Sequence, residues 1–240
     1  LIENSIFNLE IDSLGISNAT VNYRSFREKE FHLLLKEIDF GVSQFRLDSA
    51  NYKNKFLFTD NITLRLTNQQ FVFGDSIHQV DVGSLDISTK SQNILFRDIN
   101  LHPRNSSANN EYHVKIPELN FRGLDFKMAY HENRLKLDSI RVFNPEINIK
   151  QTTRKAGNKD LVPYLFDLFS SLDIGKTFID NGQITYQHYF DGDEKHFTSA
   201  DLDVSIDGLY IDSTFLEKPL QIEYFDQFKL VAESTDLFGM

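Results

Sequence analysis

His188 and His196 flank Asp191-Gly192-Asp193-Glu194, where imidazole and carboxylate side chains stand close enough in sequence to suggest a metal loop. The spacing does not fit an EF-hand, which needs a bidentate Glu at its twelfth position. Asp-Gly between two strand-like patterns is the ordinary hairpin turn, and a hairpin is the reading adopted; no metal is expected. Asp39, Asp81, Asp86, Asp201 and Asp203 alternate with apolar residues, which places them on the wet face of strands. A carboxylate pair for general acid–base work needs a cleft that perturbs one member, and no pattern here supplies it. The nucleophile elbow, the His-Glu-x-x-His helix, the P-loop and the dinucleotide-binding glycines are all missing from the sequence. Asn18-Ala19-Thr20, Asn61-Ile62-Thr63 and Asn105-Ser106-Ser107 fit the glycosylation triplet, but two of them sit inside strand patterns. All three read as unmodified. The expectation is a chain that is not an enzyme and takes no cofactor.

Composition narrows the partners. The net charge is -10 and the pI about 5.1, with no basic stripe, so nucleic acid is not an expected partner. A polybasic membrane-adsorbing surface is equally unsupported. The absence of Cys excludes a disulfide framework and a thiolate metal site. No run of about 18 apolar residues offers a spanning helix, and no signal peptide opens the chain. It starts at Leu1-Ile2 already inside a pattern, as a piece of a longer protein would. Its 240 residues suffice for one large all-β domain or two small ones. The 22 Phe and 9 Tyr suit strands.

The elements are announced by one recurring phrase: apolar residues two apart, then a step of three, then two apart again. It occurs at Val114, Ile116, Leu119, Phe121; at Ile38, Phe40, Val42, Phe45, Leu47; at Val80, Val82, Leu85, Ile87; and at Leu202, Val204, Ile206, Leu209, Ile211. Shorter versions are Leu135, Leu137, Ile140, Val142 and Ile94, Phe96, Ile99, Leu101. A period of two marks a strand with one buried face. A step of three would turn the next side chains to the other face, unless a bulge inserts an extra residue and bends the strand. Gly83-Ser84, Pro117-Glu118 and Asp207-Gly208 stand at such steps. The pattern predicts long strands, each bent once, presenting one apolar face. Two short strands joined by a tight corner would give the same spacing.

In chain order, Ile2, Ile6 and Leu9 suggest a short helix, and Ile16 to Tyr23 a strand. Arg24 to Glu30 reads as a hairpin loop and Phe31 to Leu47 as the returning bent strand. Ile62, Leu64, Leu66, Phe71 and Phe73 alternate up to a turn at Gly74-Asp75. The segments Val80–Ile87, Ile94–Leu101, Val114–Phe121, Phe126–Tyr130 and Leu135–Val142 continue the series. Pro103 and Pro145 mark strand ends, and Ile147 and Ile149 begin another short strand. Gln151 to Lys159 is a polar loop. Asp160 to Leu172 is the clear helix, with Asp160 as N-cap, Pro163 in the first turn, and Leu161, Leu165, Leu168, Phe169 and Leu172 on one face. Lacking a Lys/Arg face, it is expected to cover sheet rather than lie on a membrane.

Beyond it the chain repeats its beginning. Leu172 answers Leu9, Ile174 answers Ile11, Ile179 answers Ile16, Asn181 answers Asn18 and Tyr186 answers Tyr23, each 163 positions apart. Asp226, Phe228 and Leu230 then answer Asp60, Ile62 and Leu64. Such a repeat governs the fold. The organisation expected is a first unit over 1–159 and the start of a second over 160–240, in one continuous sheet. More strands are expected beyond residue 240, since an open edge needs protection.

The phrases Ile-Asp-Asn-Gly-Gln-Ile-Thr-Tyr (179–186), Ile-Pro-Glu-Leu-Asn-Phe-Arg-Gly-Leu-Asp-Phe (116–126) and Asp-Ser-Ile-Arg-Val-Phe-Asn-Pro-Glu-Ile-Asn-Ile (138–149) resemble the AsmA-like proteins of Gram-negative envelopes in a Bacteroidota-type version, related to TamB-type lipid transporters. The resemblance covers essentially the whole chain and is periodic rather than chemical. It implies a mainly β fold: a long, curved antiparallel sheet, an open half-pipe with one or two short covering helices. It further implies a phospholipid or other acyl-chain lipid as partner, a periplasmic location, and membrane contact through parts of the parent protein outside this chain. The apolar residues of the four full phrases, Ile38 to Leu47, Val80 to Ile87, Val114 to Phe121 and Leu202 to Ile211, are then the lining of a lipid groove. The alternative is a structural or interaction scaffold whose apolar face packs on its own second sheet in a closed, dry core.

Overall fold

The computed structural model describes residues 9–25, 31–47, 56–72, 78–104, 110–151, 170–190, 193–212 and 225–237. The chain is mainly β. Its strands are β1 (Leu9–Ser25), β2 (Phe31–Leu47), β3 (Asn61–Val72), β4 (His78–Ser88), β5 (Asn93–Pro103), β6 (Asn110–Arg122), β7 (Arg134–Phe143), β8 (Glu146–Gln151), β9 (Ser171–Phe190), β10 (Asp193–Asp212) and β11 (Gln227–Leu237). All 11 belong to one sheet. Strands β1 to β7 follow in sequence order, and β9, β10 and β11 continue beyond β7. Strand β8 continues the line of β7: β6 pairs with β7 through Glu118–Arg122 and with β8 through Asn110–Lys115.

The long sheet expected is present, antiparallel except at one seam. Both β7 and β8 pair with β9 in parallel. A hairpin cannot make that connection. Gln151 pairs with His188 near the end of β9 while Arg134 pairs with Ser171 at its start, so β8 ends far from where β9 begins. This parallel seam falls where the repeat begins again.

The repeat is visible in backbone detail. Asn18 (φ 52) and Asn181 (φ 55) both adopt the left-handed conformation. Ile16↔Phe40, Ala19↔Ile38 and Val21↔Leu35 are partners in the first copy, and Ile179↔Val204, Gly182↔Leu202 and Ile184↔Ser199 in the second. Each set contains the same two register shifts, the mark of a bulge. The turn into the third strand repeats as well: Asp60 N–H donates to the Ser43 carbonyl at 3.1 Å, and Asp226 N–H to the Asp207 carbonyl at 2.9 Å.

The steps of three are aligned across the sheet. Leu85↔Phe96 and Val82↔Ile99 are partners, with Gly83 and Asp98 between them. Both strands carry the extra residue at one level, so register survives and the apolar side chains stay on one face. Asn18, Glu37, Asn68, Asp98, Asn144, Asn181 and Asp201 lie along this line, all with positive φ. Asn and Asp tolerate that region better than other side-chain-bearing residues. Glu37 is the exception in type. Its carboxylate accepts from Thr67 Oγ1 at 2.7 Å and Asn68 Nδ2 at 2.9 Å, bonds that pin its strand to β3 and lower its pKa.

A second line of left-handed residues passes through Gln44, Gly123 and Gly208, with φ of 53, 69 and 67. Strands β2 and β10 therefore carry two irregularities each, not one. Gly83-Ser84 and Pro117-Glu118 belong to the first line and Asp207-Gly208 to the second. In β10 the first line runs through Asp201, and Ser199 is the residue beyond the step. The sequence pattern misses it because Ser199 is polar.

One expected element changes, and two others lie largely outside the described residues. Phe126–Tyr130 is not strand: Phe126–Glu132 forms the helix α1, capped by Asp125, whose side chain accepts from Met128 N–H at 2.9 Å, and closed by left-handed Asn133. Of the helix expected over Asp160–Leu172, residues 160–169 lie outside the described residues. Ser171 and Leu172 belong to β9, where Leu172 is held between Leu135 and Ile211. The helix expected at Ile2–Leu9 also lies outside the described residues, except that Leu9 begins β1.

Candidate apolar binding face

Residues directly opposite one another on adjacent strands share a face. One row runs Ile16, Phe40, Leu64, Ile87, Ile94, Phe121, Ile140, Thr177, Ile206, Phe228, crossing the sheet from β1 to β11. The next runs Ile38, Leu66, Leu85, Phe96, Leu119, Val142, Ile179, Val204, Leu230. Beyond the bulge line the face continues through Val82, Ile99 and Ile116, then Val80, Leu101, Val114, Ile147 and Ile184. Val42 lies between Leu14 and Ile62, Phe45 opposite Ile11, Leu47 opposite Leu9, Leu202 opposite Gly182, Leu209 opposite Ile174, and Ile211 opposite Leu172. The sheet thus brings every groove residue named from the sequence onto one face.

Burial along this face is uneven. Of the residues named from the sequence, Ile38, Val82 and Leu202 are buried, Leu47 is exposed and the others are half-buried, and Leu66 beside Ile38 is buried too. At the sheet margins Ile16 is 50% exposed and Phe228 54%. Among the described elements, substantial packing runs only between strand neighbours, between α1 and β7, and between β2 and the single 3-10 turn at Phe56–Phe58. No described second sheet lies on the apolar rows.

One end of the face is covered. Leu124, just before α1, packs with Leu137 and Ile174 in the most buried cluster, against Phe121, Ile140 and Leu209. The 3-10 turn meets the same end: Phe58 stands edge-on to Phe45 at 6.3 Å, while Phe56 contacts Phe126 at 6.0 Å and Tyr130 at 5.8 Å. Phe45, Phe121 and Leu209 therefore touch the chain's own cover. Gln69, passed over because it is polar, takes an apolar position beyond the bulge line. It is 3% exposed, and its amide bonds the Lys36 backbone, accepting from N–H at 3.4 Å and donating to C=O at 2.6 Å. This bond stands where β2 and β3 cease to pair, since their ladder ends at Ile38↔Leu66. Nothing in an alternating pattern signals it.

The opposite face is a charge ladder. Asp86 bonds Arg65 at 2.5 Å and Arg97 at 3.1 Å, and Arg97 reaches Glu118 at 3.7 Å. Arg141 pairs with Asp180 at 3.0 Å and lies over the Phe178 ring, 4.9 Å from its centroid. Exposed pairs of this kind contribute roughly 0–1 kcal/mol each, so their main effect is to keep this face in water. Three carboxylates read as merely wet do more. Asp39 accepts the Asn18 N–H at 2.9 Å, and Asp203 the Asn181 N–H at 2.8 Å, fastening equivalent bulges. Asp81 accepts from His102 at 2.8 Å and Gln79 at 2.7 Å. The Asp81 bond raises the His102 pKa; burial opposes ionisation of Asp81, but its hydrogen bonds prevail and lower its pKa.

Chemistry does not converge here. Among the described residues no group of three or more His, Asp or Glu is arranged to hold a metal ion. His188 stands opposite Lys195 and stacks beside Tyr186, while His196 bonds Thr198 at 3.0 Å. Residues 191–192 lie outside the described residues. No described helix is long and apolar enough to cross a membrane. Comparison with protein-family models, with curated proteins and with solved structures finds no match. The functional reading therefore rests on the sheet itself.

Proposed function

We propose that this chain is a non-enzymatic segment of a cell-envelope protein that holds phospholipid acyl chains against its apolar face. The observation that carries the reading is the run of apolar rows from β1 to β11 with no described second layer upon them. Apolar area left in water costs roughly 25 cal/mol per Å², and a face of this extent is a binding surface. An acyl chain suits it because the rows are hydrocarbon in both directions, with polar contacts few and scattered. Such a ligand is held by area and can slide. The AsmA-like phrasing of residues 116–126, 138–149 and 179–186 supports the same reading, with a periplasmic location and the membrane contacted elsewhere in the parent protein.

Native mass spectrometry of the purified chain, followed by solvent extraction and lipid analysis, tests this. Co-purifying phospholipid is expected. It should be lost when Val80 and Ile116, away from the α1 cover, are both changed to Asp, with the circular-dichroism spectrum retained. A lipid-free chain that also refuses phosphatidylethanolamine vesicles would overturn the reading in favour of a scaffold without ligand.

A further inference from the structure

Strands β1 and β9 are equivalent, yet among the described residues only β9 has a neighbour on its outer side. That neighbour is the broken line of β7 and β8, running parallel. Its break, Asn144-Pro145, fits the Asn181 bulge through three bonds. Asn144 N–H donates to the Asp180 carbonyl at 2.9 Å, Asn181 Nδ2 to Asn144 Oδ1 at 3.0 Å, and Gln183 N–H to the Pro145 carbonyl at 2.7 Å. The spacing of 163 maps Asp180, Asn181 and Gln183 onto Ser17, Asn18 and Thr20.

The first copy has the same left-handed Asn, the same carboxylate fastening it and the same register shifts. Its outer edge is thus preformed. The side chains agree: Ile179 and Ile184 are half-buried beside Val142 and Ile147, whereas their equivalents Ile16 and Val21 are 50% and 46% exposed. We propose that the outer edge of β1 docks an extended polypeptide segment that runs parallel to it, turns alternate apolar residues onto the apolar face, and breaks at its middle with an Asn-Pro corner. The corner places a carbonyl opposite Thr20 N–H and an N–H opposite the Ser17 carbonyl, and its Pro needs no donor. An unbroken strand lacks the extra residue that the Asn18 bulge demands.

The test titrates the isotope-labelled full chain with a synthetic peptide matching residues 134–151, followed by amide hydrogen exchange. Exchange at Thr20 should slow at least about tenfold. A spin label on the peptide N-terminus should broaden resonances toward Leu9 rather than Tyr23. A peptide with both corner residues changed to Ala should bind at least about tenfold more weakly, and this difference should shrink in the Asn18→Ala chain. Absence of Thr20 protection, an antiparallel label pattern, or protection changes confined to β9 through strand exchange would overturn the proposal. Equal affinity of the two peptides would overturn its corner.

Discussion

Asn18 and Asn181, 163 positions apart, make the same left-handed bulge, each with its N–H on the carboxylate of a residue one strand away, Asp39 or Asp203. Among the described residues, only Asn181 is also bonded through its side chain, to Asn144. Asp39→Ala and Asp203→Ala should each cost about 1.5–3 kcal/mol, the usual loss of a hydrogen bond to a charged group. Asn181→Ala should cost more than Asn18→Ala by about 1 kcal/mol. Urea midpoints of the four variants check both statements.

Gly123 and Gly208 sit at positive φ, and a Cβ on either would collide with Asp138 or Asp226. Substitution by Ala should cost on the order of 1–3 kcal/mol through backbone strain, before any movement of the carboxylate. Asp138→Ala should recover part of the Gly123→Ala loss, which a double-mutant cycle in thermal unfolding would show. Additive losses would place the strain in the backbone alone.

The α1 cover makes truncation strongly position-dependent. Leu124→Ala and Ile174→Ala remove side chains that are 3% and 2% exposed and should each cost about 2–5 kcal/mol. Ile16→Ala, at an equally apolar but half-exposed position, should cost less than about 1.5 kcal/mol. Similar losses at all three sites would mean that the marginal strand is covered in solution.

His102 and Asp81 give a pH signature. The folded His102 pKa is raised, first by its Asp81 bond, so its contribution is full below about 6.5, the unfolded value, and is lost as pH rises through the folded pKa. Asp81 is lowered on balance, so its contribution holds above about 3.9 and is lost as pH falls through the folded pKa. The pair therefore stabilises most in weakly acidic solution. The stability difference between wild type and His102→Gln should be present at pH 6 and shrink toward pH 8.5. A difference that grows with pH would contradict the assignment.

The apolar phrases were sufficient to read the sheet and its single apolar face, because a period of two and a recurring step of three leave little else for Val80–Ile87 or Val114–Phe121 to be. The repeat was legible for the same reason. The parallel seam was not, since hydrophobic alternation is blind to strand direction. Helix α1 was hidden because seven residues are too few to show a helical period, and its real signals are the Asp125 cap and left-handed Asn133. The bulge-fastening roles of Asp39 and Asp203 were missed because a carboxylate on a wet face looks alike whether or not a backbone N–H lies beside it.

The single layer formed by the described strands is close to one-dimensional. Among the described residues each strand is held chiefly by the strands beside it, so stability is approximately a sum of nearest-neighbour couplings rather than a property of a shared centre. Loss of order should then start at the lateral margins and travel inward strand by strand. Strand β7, flanked on both sides and carrying Leu137 beneath the cover, should be among the last to open.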